Sequence, residues 1–134
     1  MAKIDSFEDL NVWKEAVRIA VEIYRIADIA PLKNDYKSRD QLIGAAISIS
    51  NNIAEGFEYN NNKVFVKFLH YSKGSAGEVR SQLAVLVKAG RVNQEEYLKL
   101  KSELIVLSSQ IKSFINYLVS LEKNQTLKHE PYSH

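Results

Sequence analysis

The chain has 134 residues, 46% hydrophobic and 25% charged, with no cysteine. That profile fits one globular domain with a sizeable core, and it excludes disulfides, thiolate zinc sites and cysteine nucleophiles. The net charge of +2 is too small to mark a nucleic-acid binder; residues 1–59 hold 7 Lys/Arg against 10 Asp/Glu and residues 60–134 hold 11 against 6, an asymmetry that on charge alone reads first as two differently solvated faces and second as a surface for an anionic partner.

No segment approaches the ~20 apolar residues that a membrane helix needs, because a charge or polar cluster always intervenes. The opening MAKIDSFEDL lacks the apolar core of a signal peptide, so the expected location is the cytoplasm, with no membrane partner.

Chain breakers divide the sequence into four predicted helices, at 7–30, 36–57, 62–89 and 94–123. The first opens on Ser6 with Asp9 three residues on, the spacing of a capping box. It closes before Pro31, which lacks a backbone donor. Along it Trp13, Ala16, Val17, Ala20, Tyr24 and Ala27 form one apolar stripe, and Val12, Ile19 and Ile26 form a second. Together they span about half the circumference, against the ~100° of an ordinary surface helix.

The second segment opens at Asn34/Asp35, whose side-chain oxygens suit a helix start. Leu42, Ala46, Ile49 and Ile53 face its core, while Ile43, Ile47 and Ala54 lie to one side. Surplus stripes of this kind mark an oligomer interface, with Val12, Ile19, Ile26, Ile43 and Ile47 as its candidates; the alternative is burial on two sides within one subunit.

The third segment starts in the cluster Asn60-Asn61-Asn62 and ends at Gly90, a residue suited to the left-handed conformation past a helix end. It carries Phe65, Ser72, Val79, Leu86 and, interleaved, Leu69, Ala76, Leu83. The fourth opens on Asn93 with Glu96 and carries Tyr97, Leu104, Ile111, Leu118 beside Leu100, Leu107, Phe114, Leu121. Seven-residue series with a 3–4 alternation keep one seam on a partner helix at a crossing of about 20°. The expected fold is therefore all-α: an antiparallel up-down four-helix bundle over 1–123, followed by a polar, disordered tail at 124–134.

Polar groups interrupt the seam between the second and third segments. In SNNIAEG, Ser48, Asn52 and Glu55 fall on one stripe; in SKGSAGE, Ser72, Ser75 and Glu78 answer them beside Gly74, Ala76 and Gly77. Buried polar groups need partners, so these six are expected to form a structural network across closely packed backbones, with Gly56 closing the second helix. A rival reading pairs Glu55 with Glu78 as acid and base of a hydrolase. The sequence has no Glu-x-x-His, no H-E-x-x-H, no Walker loop and no G-x-S-x-G. The expectation is thus no catalytic residues, no metal, no cofactor and no small-molecule substrate.

Lys63, Lys67, His70, Lys73, Arg80, Lys88 and Arg91 project away from the third seam within an arc of about 120° at the helical step. A line of cations can follow a nucleic-acid backbone, and Tyr59 and Tyr71 add stacking surfaces.

FEDLNVWKEA, SRDQLIGAAISISNNIAEG, KVFVKFLHYSKGSAGEVRSQL and GRVNQEEY occur in that order. Together, and above all through NIAEG combined with Gly74, Ser75 and Glu78, the chain resembles the four-helix-bundle proteins encoded in intervening sequences of bacterial large-subunit ribosomal RNA genes. The resemblance covers roughly residues 6–120. It implies a ring-like homopentamer, no enzymatic activity and binding of ribosomal RNA; the similar accessory proteins of diversity-generating retroelements bind nucleic acid and a reverse transcriptase. Members carry paired arginines before the alanines of the second helix and more cations after NIAEG, where this chain has Ile43-Gly44 and Phe57-Glu58-Tyr59. The expected function is binding of RNA or a ribonucleoprotein through Lys63, Lys67, Lys73, Arg80, Lys88 and Arg91. A protein–protein scaffold that docks a polymerase is the second expectation.

Overall fold

The computed structural model describes residues 4–129, with side chains through Asn124. Four α-helices, α1 (Asn11–Ala27), α2 (Tyr36–Glu58), α3 (Asn62–Lys88) and α4 (Gln94–His129), make up most of it, with 3-10 turns at Phe7–Asp9 and Leu32–Asn34. Among the described residues there is no strand. The arrangement is consistent with a four-helix bundle.

The helix starts follow from side-chain oxygens that satisfy the free amides of a first turn. Asp35 accepts from the Ser38 amide, Asn61 from Val64 at 3.1 Å and Asn93 from Glu96 at 2.8 Å. Gly90, at φ 75°, completes the end of α3. Its N–H donates to the carbonyl of Val87, and the Arg91 N–H donates to Leu86 at 2.8 Å, the paired bonds of a Schellman ending.

Three boundaries differ from expectation. Ser6 caps only the short turn, accepting from the Glu8 amide, and extended Leu10 separates that turn from α1. At its other end α1 stops at Ala27 rather than residue 30, because the residues before a proline are pushed out of helical geometry. Residues 124–129, expected in the polar tail, continue α4; the rest of that tail, 130–134, lies outside the described residues.

The seven-residue series pack as the spacing requires. Leu69, Ser72, Ala76, Val79 and Leu83 of α3 and Leu100, Leu104, Leu107 and Ile111 of α4 are shut off from solvent, and Tyr97, Phe114 and Leu121 pack half-buried against them. They meet Ile19 and Ile23 of α1 and Leu42, Ile49 and Ile53 of α2. Each fully buried Leu, Ile or Val among them contributes roughly 1.5–3 kcal/mol by leaving water. Leu32, fully buried in its turn, plugs one end. One expectation about composition needs correcting: the stretch Gln94–Asn124 is long enough to cross a membrane and contains an 18-residue window of mean hydropathy 1.4, apolar enough to do so. Serines and isolated lysines do not cancel its leucines, and those leucines line the core on one face.

The surplus apolar stripes also resolve. Val12, Ile19 and Ile26 lie at 8%, 0% and 3% exposure and Ile43 at 8%, with Ile47 packed against them. Val12, Ile19, Ile26 and Ile43 are core residues of one chain, so the oligomer-interface assignment for these four is overturned; Ile47 is half-buried. Helix α1 packs on both α2 and α4, and a helix between two neighbours buries a wide arc.

Candidate functional site

The polar stretch of α2 meets α3 through hydroxyls. Ser48 Oγ and Ser75 Oγ lie 2.9 Å apart across the seam, and Asn52 Nδ2 donates to Ser48 Oγ at 3.0 Å and to the Ser48 carbonyl at 2.8 Å. Ser48 Oγ accepts from Asn52, and either hydroxyl can be the donor in the Ser48–Ser75 bond. Ser72, fully buried, donates to the Ile49 carbonyl at 2.8 Å. Four of the six expected members, Ser48, Asn52, Ser72 and Ser75, are thus brought together.

Glu55 and Glu78 are not. Both are exposed, and Glu78 accepts from Gln82 one turn along its own helix. Ser48 is itself only half-buried at the border of the seam, and the ~20° that a helix drifts over seven residues leaves Glu55 on the solvent side of that border. Gly56 likewise has another role. It sits buried inside α2, where an added Cβ would lie 2.5 Å from Phe68 Cβ and 3.1 Å from the Phe65 ring. Gly74 and Gly77, expected to allow close approach, have open space around them.

Beyond this contact the end of α2 and the start of α3 carry aromatic rings. Phe57 meets Phe65 edge-on and Phe65 meets Phe114. Outside them Tyr59 stacks on Phe68 at 5.5 Å, Tyr71 meets Phe68 edge-on, and Lys67 Nζ stands 5.9 Å above the Tyr71 ring. Tyr59 and Tyr71 are 56% and 50% exposed, and Lys63, Lys67 and His70 are exposed beside them. This is a basic aromatic patch on the outer surface of α3. Phe68, not among the expected site residues, is its organiser; its place between Tyr59 and Tyr71 depends on the α2–α3 turn.

The remaining cations divide. Lys88 is exposed at the far end of α3. Lys73 and Arg80, seven residues apart, lie half-buried on the flank. Arg91 lies past the helix and is ion-paired: its Nε donates to Asp35 at 3.2 Å, which removes it from the open basic face. The Asp35 carboxyl is held below its ordinary value first by its bond to Ser38, with Arg91 adding to the effect.

Opposite this surface α1 and α4 are joined by two Glu–Arg–Glu groups. Arg18 bonds Glu15, at 3.1 Å from Nε, and Glu103; Arg25 bonds Glu22 at 3.0 Å and Glu96 at 2.8 Å. The groups repeat at seven residues on both helices. Glu96, expected to complete a capping box with Asn93, spends its carboxylate on Arg25 instead. The arginine bonds hold the carboxyls of Glu15 and Glu22 below their ordinary value.

The family model for the 23S rRNA-intervening sequence protein matches residues 8–113. The chain belongs to that family. The match takes in the polar seam, the basic aromatic patch and most of α4. A crystal structure of a protein of unknown function from the S23 ribosomal protein family of Bacteroides thetaiotaomicron has the same fold, with a TM-score of 0.72 at 19% identity. The alignment covers 78% of this chain and 95% of the other. No curated protein matches.

Proposed function

We propose that this 23S rRNA-intervening sequence protein is a non-enzymatic, antiparallel four-helix-bundle protein that binds RNA, alone or within a ribonucleoprotein, through the outer face of α3. Helix α3 holds five Lys/Arg against one Glu. The observation that carries the reading is Lys67 poised over exposed Tyr71, beside the stacked Tyr59–Phe68 pair. Cations neutralise phosphates while open rings stack bases, a combination suited to single strands. The reversed order of the contacts Arg18–Glu103 and Arg25–Glu96 supports the antiparallel arrangement.

A ring-like homopentamer would repeat that face around one assembly and multiply its field. With the α1 and α2 stripes buried, the surface favoured for contact between copies is the outer face of α4, where Leu98, Ile105 and Val119 recur at seven or twice seven and are 51%, 43% and 37% exposed. The same exposed apolar face supports the second reading, a scaffold that docks a polymerase.

Purification of the full chain at low salt, with light-scattering mass and nucleic-acid content measured on the same peak, tests both. An oligomer that retains nuclease-sensitive RNA is expected. A protein-only complex surviving nuclease would favour the scaffold.

A further inference from the structure

Of the five arginines, Arg18, Arg25, Arg39 and Arg91 each bond a carboxylate. Arg80 does not: its half-buried Nε is shut off from solvent and finds no hydrogen-bond partner among the described residues. Arg80 faces a groove between α3 and α4 of about 370 Å³, lined by Gly77, Arg80, Ser81 and Ala84 on one wall and Tyr97 and Lys101 on the other. The Lys101 ammonium stands 5.8 Å from the centre of the Tyr97 ring one turn before it. Two cations, a serine hydroxyl and a phenol therefore line one groove with no carboxylate in its walls. The floor is kept low by Gly77 and Ala84; a Cβ on Gly77 would touch nothing within 4 Å.

We infer that this groove is a phosphate-binding site, in which Arg80 and Lys101 together hold a phosphate oxyanion. A guanidinium fork matches two phosphate oxygens, an ammonium adds a point charge, and the half-buried setting strengthens both. Arg80 has no carboxylate partner among the described residues, and an oxyanion in the groove offers its charge one. Lys101 is the member that sequence reading missed: only the packing of α4 on α3 brings it to Arg80. The phosphate can be a phosphodiester of RNA or a free phosphate ion. As an RNA contact the site rests on the reading of α3 above; as an oxyanion site it stands without it.

The test is an NMR titration of the full chain with inorganic phosphate and, at matched ionic strength, with acetate, following the Arg80 Nε–H and Tyr97 ring signals. Phosphate is expected to shift both signals saturably, and acetate to leave them in place. The Tyr97 shift is expected to disappear in Arg80→Gln and Lys101→Gln. It should also disappear in Gly77→Met, which fills the groove without changing charge; melting curves verify folding of each variant. Arg80 signals indifferent to phosphate, or moved equally by acetate, overturn the site. In a parallel binding assay with single-stranded RNA, the Arg80→Gln/Lys101→Gln double variant is expected to lower the slope of log affinity against log salt by about 0.7, for the one phosphate that the pair holds. A phosphate-induced shift in a protein that binds no RNA leaves the site standing and removes the RNA reading.

Discussion

Ser72, in the middle of α3, donates its hydroxyl to the carbonyl of Ile49 on α2 at 2.8 Å, with no exposure to solvent. Beside it, Asn52, Ser48 and Ser75 form a chain across the same seam. Such bonds add modest net stability but fix which faces meet. Ser72→Ala and Asn52→Ala are each expected to cost about 0.5–1.5 kcal/mol, read as a lower urea midpoint at unchanged slope. Ser81→Ala, on the exposed surface, should leave the midpoint in place.

Two glycines in neighbouring helices should respond in opposite directions. At Gly56 a methyl would meet the root of the Phe68 side chain at 2.5 Å, so α3 itself must move. Gly56→Ala is expected to destabilise by about 1–3 kcal/mol, the usual range for overpacking. At Gly74 the space is open, and alanine should stabilise by about 0.5–1 kcal/mol through the lost freedom of the unfolded chain. Thermal melts of the two variants, run side by side, check the contrast.

The paired groups on α1 and α4 predict a pH dependence. Glu15 and Glu22 have folded-state pKa values below their ordinary 4.5, so their contribution is present above that value and lost as pH falls through the lowered one. Their side chains are 35% and 29% exposed, and solvent screening limits each pair to about 0.2–1 kcal/mol. Urea unfolding at pH 7 and pH 3 should show a gap between the native chain and Arg18→Gln/Arg25→Gln at neutral pH. The gap should shrink in acid.

The legible part of the fold was what repeats locally. Leu100, Leu104, Leu107 and Ile111 mark one face of one helix by spacing alone, and Asn61 and Asn93 announce helix starts within a single turn. What depended on neighbours was not legible. The arc of α1 through Val12, Ile19 and Ile26 is wide whether a second copy or a second helix covers it; here α2 and α4 do. Gly56 reads as a helix end by sequence alone because the residues that demand it, Phe65 and Phe68, lie on the next helix. Of the site, the cations of α3 were readable as a stripe. The pairing of Arg91 with Asp35, 56 residues away, and the approach of Lys101 to Arg80 were not, since both arise only when the helices pack.

Binding of a fluorescent single-stranded RNA to the full chain, followed by anisotropy from low to moderate salt, tests the central claim most directly. The account predicts affinity that falls linearly in log–log form, is reduced at least about tenfold by Lys63→Glu/Lys67→Glu through lost and reversed phosphate contacts, and changes little with Arg91→Gln, whose native side chain is engaged by Asp35. A folded chain that binds no RNA at the lowest salt, or one whose affinity ignores the reversal at Lys63 and Lys67, would contradict it.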